Sequence, residues 1–295
     1  MQRLLIVGSG DVARRAAAWL TGHFRVLALL RHPGQVAAWR QLGVRPVLGD
    51  LDRAESLERL AGLADLVLHL APPPREGSRD TRTRHLLAAL SRGRSLPRRL
   101  VYISTTGVYG DCGGARIDET RPRRPASARA RRRVDAEEVL RRWGALNRVP
   151  VLILRAPGIY GDGRLPLERL QAGMPVLAPE ADVFTNHIHA DDLARACCLA
   201  LFRGGAGRSF NVVDDSELKM GDYFDQVADA AGLPRPPRLE RGELAGQLSP
   251  LQCSFMAESR RIANWRMRRE LRLDLSFPTV ALGLAAAFHP ARKHS

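Results

Sequence analysis

The chain has 295 residues, enough for one or two domains with a sizeable core. It carries 46 Lys and Arg against 31 Asp and Glu, a formal charge of +15, and only Lys219 and Lys293 are lysines. The arginines are scattered through every predicted helix with few aromatics between them, which argues against nucleic-acid binding as the main function and favours attraction of small anions. No apolar run reaches the length of a membrane span, Thr279 to Phe288 included. The apolar N-terminal run meets glycine after four residues, so no signal peptide is expected. Cys112, Cys197, Cys198 and Cys253 have neither metal nor pairing spacing, so reduced thiols, no metal and a cytoplasmic location are expected.

Leu4 to Val7 reads as a buried parallel strand. It runs into Gly8-Ser9-Gly10-Asp11-Val12-Ala13, and a helix is expected from Asp11 to Leu20. Glycine at 8 permits a tight turn, glycine at 10 leaves room for a pyrophosphate, and Ala13 lets helix and strand pack closely. The helix start then offers backbone N–H groups and a positive dipole end to phosphate. Residues 8–12 are thus candidate dinucleotide contacts.

Arg25 to Leu30 is the second strand and ends in Arg31. An acidic residue here would read the ribose 2′-OH of NAD; Arg31 instead suits the 2′-phosphate of NADP, with NAD as the other choice. Arg45 to Leu51 is a third strand, with Asp50 and Leu51 expected near the adenine and Arg53 to Leu60 as a helix. Asp65 to Leu70 is the fourth, and Leu70-Ala71 followed by three prolines would let a cofactor lie against the backbone.

Leu100 to Ile103 is the fifth strand, followed by Ser104-Thr105-Thr106-Gly107-Val108-Tyr109-Gly110. Hydroxyls at the carboxyl end of a central strand sit where ligands bind in open α/β sheets. A basic helix from Arg129 to Trp143 and a sixth strand, Val151 to Leu154, follow, and the strand runs into Arg155-Ala156-Pro157-Gly158-Ile159-Tyr160-Gly161. The alternation predicts an α/β fold with a doubly wound parallel Rossmann-type sheet. The expected division is a dinucleotide-binding domain over 1–160 and a smaller C-terminal substrate lobe over 161–295, with strands free to interleave. The lobe should hold helices near 166–172, 191–202 and 220–231, a short strand near 186–189 and another over 210–213. His187, His189, Asp191 and Asp192 resemble a metal cluster on paper.

In this order the segments resemble the extended short-chain dehydrogenase/reductase superfamily, which includes nucleotide-sugar epimerases and dehydratases. The resemblance covers almost the whole chain. It rests on the glycine turn, the segments 104–110 and 155–161, Ile188-His189-Ala190-Asp191-Asp192, and Phe210-Asn211-Val212-Val213. It implies a catalytic Ser or Thr at Thr105, with Ser104 against the cofactor. It also implies a Tyr-x-x-x-Lys pair where this chain has Arg129 and Arg133. An arginine cannot transfer protons near neutral pH, and Tyr109 is the nearest tyrosine able to substitute. The Asp-Glu pair of the dehydratases is replaced by Thr106 and Gly107, and the Arg-Asp common in nucleotide-sugar members by Asn186 and His187. In place of a metal cluster, the resemblance implies that His189 is structural and that Asp191 or Asp192 caps the following helix. Two functions stay open: an NAD(P)-dependent oxidoreductase or epimerase with a non-standard site, or a catalytically silent NADP(H)-binding or redox-sensing protein. The expected partner is a small, anionic substrate, and the expected assembly a homodimer.

Overall fold

A computed structural model describes residues 1–244, 253, 254 and 256–288. The end of the expected second unit, 289–295, lies outside them. The strands are β1 (Arg3–Val7), β2 (Arg25–Leu30), β3 (Arg45–Leu48), β4 (Leu66–His69), β5 (Arg99–Thr105), β6 (Arg116–Ile117), β7 (Val151–Ala156), β8 (Gly158–Tyr160), β9 (Val176–Leu177), β10 (Phe184–Thr185), β11 (His187–His189), β12 (Ser209–Asn211), β13 (Leu218–Lys219), β14 (Arg238–Leu239) and β15 (Arg261–Ile262). The helices used below are α1 (Asp11–Leu20), α2 (Val36–Gln41), α3 (Thr81–Ser91), α4 (Ala128–Asn147), α5 (Leu167–Gln171), α6 (Ala190–Ala200) and α7 (Met220–Ala231).

Seven strands form one parallel sheet in the order β12-β7-β5-β4-β1-β2-β3. The chain winds outward from β1 in both directions, so the switch point of this doubly wound sheet lies between β1 and β4. Both faces are buried, which is why the strands read as unbroken apolar runs. Leu4 and Ile6 join the core shared with α1 and α6, while Leu5 and Val7 join the core shared with α3 and α4.

The sequence reading gave six sheet strands; β12 is a seventh, pairing Phe210 with Leu154 at the edge beyond β7. Both β12 and α6, which packs against α1, come from beyond residue 160 and complete the first layer set. The expected helix at 53–60 is a 3₁₀ helix over Ala54–Leu60. Its buried residues, Leu57 and Leu60, are three apart, which matches three residues per turn better than 3.6.

Beyond the sheet the chain forms small strand pairs: β8 with β11, β9 with β14 and β6 with β15, all parallel, and β10 with β13, antiparallel. Tyr160 of β8, Val176 of β9 and Leu218 of β13 pack with α5, α7 and the helix Val280–Phe288 around Phe224, whereas Ile117 of β6 and Ile262 of β15 pack against Val108 and Tyr109. Among the described residues no helix is long and apolar enough to cross a membrane.

Candidate functional site

The site lies along the carboxyl edge of the parallel sheet. Gly8 has φ +100, and a Cβ there would stand 2.4 Å from the backbone nitrogen of Ala71. The turn after β1 and the Leu70-Ala71 segment after β4 are therefore in backbone contact. Gly10, in extended conformation, caps α1 without any side-chain acceptor. A Cβ on Gly10 would meet nothing within 4 Å among the described residues, which leave open space over the first turn of the helix. Asp11, in that turn, is held aside by Arg15 at 3.0 Å and Arg164 at 2.8 Å. Ser9 donates to the Gln35 amide oxygen, and Val12 is buried against the sheet.

A cleft of about 920 Å³ opens beside this edge. At one end Arg31, half-exposed, sits 4.0 Å from Asp52, and Arg82 of α3 grips the same carboxylate through two hydrogen bonds of 2.6 and 2.7 Å. The hydrogen bonds from Arg82 lower the Asp52 pKa, and the charge of Arg31 adds to them. Asp50 accepts the Asp52 N–H in a local turn, and Leu51 is buried with its carbonyl against His85; neither lines the cleft. The sequence reading missed Asp52 and Arg82 because one arginine among so many carries no local signal.

At the other end stand Thr105, Arg129, Arg132 and Arg133. Thr105 accepts the Gly107 N–H and caps the short 3₁₀ turn over Thr106–Tyr109. Ser104 lines the cleft, but its hydroxyl points toward α4 and donates to Glu137 at 2.7 Å. Arg133 donates to the Tyr102 hydroxyl at 2.9 Å and to the Ile103 carbonyl at 2.7 Å. Burial holds Tyr102 protonated, raising its pKa to about 12, and drives that of His69, beside it on β4, down to about 3.

Tyr109 lies outside the cleft lining, 1% exposed. Its hydroxyl donates to Asn211 at 2.7 Å and accepts from Arg155 at 2.9 Å. Arg155 in turn makes two hydrogen bonds to Glu137, of 3.0 and 2.7 Å. Burial opposes the Arg155 charge, but the hydrogen bonds and charge of Glu137 outweigh it and raise its pKa. Tyr109 thus belongs to a buried polar network that joins β5, α4, β7 and β12.

A second cavity of about 400 Å³ adjoins the cleft and shares Thr105, Arg129, Pro157 and Ile159 with it. Its walls include His187, stacked on Tyr223 with ring centres 4.1 Å apart. Burial lowers the His187 pKa to about 3, so this ring is neutral. The expected Asp cap of α6 is corrected: His189 accepts the Asp191 N–H through Nδ1 at 3.2 Å. Burial lowers the His189 pKa, which leaves that nitrogen free to accept. Asp192 is turned inward instead, where it accepts from Ser276, Phe277 and Arg195.

Directly behind His187, the Asp214 N–H donates to the His187 carbonyl at 2.8 Å. Burial raises the Asp214 pKa to about 8, against about 4 in an unfolded chain. The folded state therefore binds the proton more tightly, and this contribution is complete below pH 4 and lost as pH rises through 8. Asp214→Asn is expected to gain about 4 kcal/mol on the wild type between pH 5 and pH 8.5, at about 1.4 kcal/mol per pH unit until the folded pKa is passed. Urea unfolding at the two pH values checks this; an equal effect at both would show that Asp214 does not titrate in this range.

Residues 5–213 match the NAD dependent epimerase/dehydratase family. Protein YeeZ of Escherichia coli is 32% identical over 152 residues, which span 50% of this chain and 52% of that protein. The matched part is thus about half the length of that relative. GDP-6-deoxy-D-mannose reductase of Pseudomonas aeruginosa is 27% identical over 82% of this chain and 86% of its own. Among solved structures, a conserved protein of unknown function from Silicibacter pomeroyi is similar with a TM-score of 0.79 at 30% identity, covering 97% of this chain and 98% of that one. The UDP-glucose 4-epimerase of Thermotoga maritima shares the fold, with a TM-score of 0.78 at 17% identity and 97% of each chain covered.

Proposed function

The chain belongs to the NAD-dependent epimerase/dehydratase family, and from that premise we propose that it is an NADP(H)-dependent oxidoreductase or epimerase acting on a small anionic substrate. One observation carries this reading: two adjoining cavities meet at Thr105 and Arg129, so a cofactor and a second molecule can be held edge to edge. The open space over Gly10 and the uncapped start of α1 fit a dinucleotide pyrophosphate. When bound, a nicotinamide dinucleotide supplies a hydride donor or acceptor. In this reading the turn Gly8 to Val12 with Leu70 and Ala71 meets the pyrophosphate. Ser104 and Arg31 border the cleft that takes the rest of the cofactor, Arg31 at the adenosine end, and Asp50 and Leu51, which do not border the cleft, are assigned no contact.

Thr105 is the hydroxyl we assign to the reacting oxygen, since it lies at the boundary of both cavities. Arg129, always charged, is assigned to hold that oxygen by hydrogen bonding and not to move its proton. Tyr109 is assigned a positioning role through Arg155. Cys112, Cys197 and Cys198 are free thiols, which suits the reducing cytoplasm we propose as its location. A silent NADP(H)-binding role is the second reading, favoured by the absence of a Tyr-x-x-x-Lys pair and by Arg133 being engaged with Tyr102 and Ile103.

Cofactor choice tests the reading. NADPH is expected to raise the Tm more than NADH at equal concentration, because stabilisation follows affinity. Arg31→Asp should weaken NADPH roughly 10- to 100-fold, the worth of a charge-assisted contact, and favour NADH. An unchanged preference would remove Arg31 from the assignment, and no shift with either nucleotide would remove the cofactor.

A further inference from the structure

The smaller cavity has an unbalanced charge. Arg129, Arg164, Arg169 and Arg260 reach it from three separate segments of the chain, against the single carboxylate of Glu258 among the described residues that line it. Arg164 pairs with Asp11 at 2.8 Å and Arg260 with Glu258 at 2.6 Å, and the charge of Glu258 also acts on Arg129. Arg169 makes no ion pair among the described residues. Its guanidinium lies 4.4 Å over the Phe224 ring and donates once, to the Pro175 carbonyl at 2.9 Å. Its Nε–H is buried without a hydrogen-bond partner, and so is that of Arg260. Burial with no carboxylate beside it lowers the Arg169 pKa. A guanidinium fixed by stacking, half-desolvated and uncompensated is the arrangement that receives an anionic oxygen group. Arg169 and Arg260 border this cavity and not the larger cleft, whereas Arg129 borders both. The anionic end is therefore set away from the cofactor and the reacting end is set toward it. About 400 Å³ is near the lower end of small-ligand sites and suits a compact molecule better than a nucleotide sugar.

We propose that the smaller cavity holds a compact organic anion, a carboxylate or phosphate monoester, gripped by Arg169 and Arg260 with its uncharged part against Thr105 and Arg129. This rests on reading the larger cleft as the dinucleotide site, and the two are separable by experiment. The full chain is titrated with inorganic phosphate, glucose 6-phosphate, glucose and UDP-glucose by calorimetry, with and without saturating NADPH; NADPH is titrated separately. Phosphate and glucose 6-phosphate are expected to bind with NADPH present, and glucose not. Arg169→Gln should weaken both anions roughly 10- to 100-fold, with the NADPH affinity unchanged. Arg169→Lys, which keeps the charge but not the planar fork, should fall between, and it serves as the test if Arg169→Gln does not fold. Equal anion affinity in wild type and Arg169 variants overturns the proposal, as does no anion binding to the wild type. Arg169-dependent binding of UDP-glucose alone also overturns it, in favour of a nucleotide ligand. Loss of NADPH binding in the wild type overturns the cofactor reading instead, and the phosphate titration without NADPH still decides the anion site.

Discussion

Glu137→Ala is expected to lower the unfolding free energy by about 3–5 kcal/mol, the usual cost of leaving a buried charge without its partner. For a chain of this size that is a fall in Tm of roughly 10 °C. Glu137 is 0% exposed and Arg155 4%, and the carboxylate also accepts from the buried Ser104 hydroxyl. Removing the carboxylate strands a guanidinium whose remaining polar neighbour is Tyr109, itself committed to Asn211. Replacing both ions with apolar groups, Glu137→Leu with Arg155→Met, should recover most of the loss, since well-packed apolar residues often match a buried ion pair. Urea denaturation at pH 7 of the single and double variants gives the comparison. A loss below about 1 kcal/mol for the single variant would mean that water reaches Arg155 and that the network contributes little.

The second large effect separates two glycines that the sequence presents as one motif. Gly8→Ala is expected to cost about 2–5 kcal/mol of stability, from overpacking against a backbone and a forced left-handed conformation. The added methyl would stand 2.4 Å from Ala71 N and 2.7 Å from Leu70 C, main-chain atoms that cannot rotate away. Gly10→Val should leave the fold nearly intact, because its φ of −82 is open to any residue and a Cβ there touches no atom of the described residues within 4 Å. Yet Gly10→Val should abolish measurable NADPH binding, as the side chain fills the space over the α1 N-terminus. Thermal unfolding with and without NADPH reads both effects. If the Gly10→Val protein binds NADPH normally, the pyrophosphate does not lie on this turn.

Some of this was present in the amino-acid order. Buried parallel strands are apolar along their whole length, so Leu4 to Val7, Arg25 to Leu30 and Val151 to Leu154 announce themselves without any knowledge of their neighbours. The glycine turn, the span of α1 and the position of Arg31 are likewise set within a few residues, by backbone sterics and by the alternation of strand and helix. Other features needed the tertiary structure, because they join residues far apart in the chain. Nothing near Ser209 to Asn211 says that this strand closes the main sheet beside β7. Tyr109 and Ser104 look like free hydroxyls at a strand end, and only the arrival of Asn211, Arg155 and Glu137 turns them inward. In so arginine-rich a chain, charge marks no position as special. Arg82 against Asp52, and Arg169 over Phe224 in a cavity with one carboxylate, are picked out by their surroundings alone. Periodicity and turn chemistry are local and were readable; pairing, burial and the balance of charge inside a cavity are long-range, and the packed fold decided them.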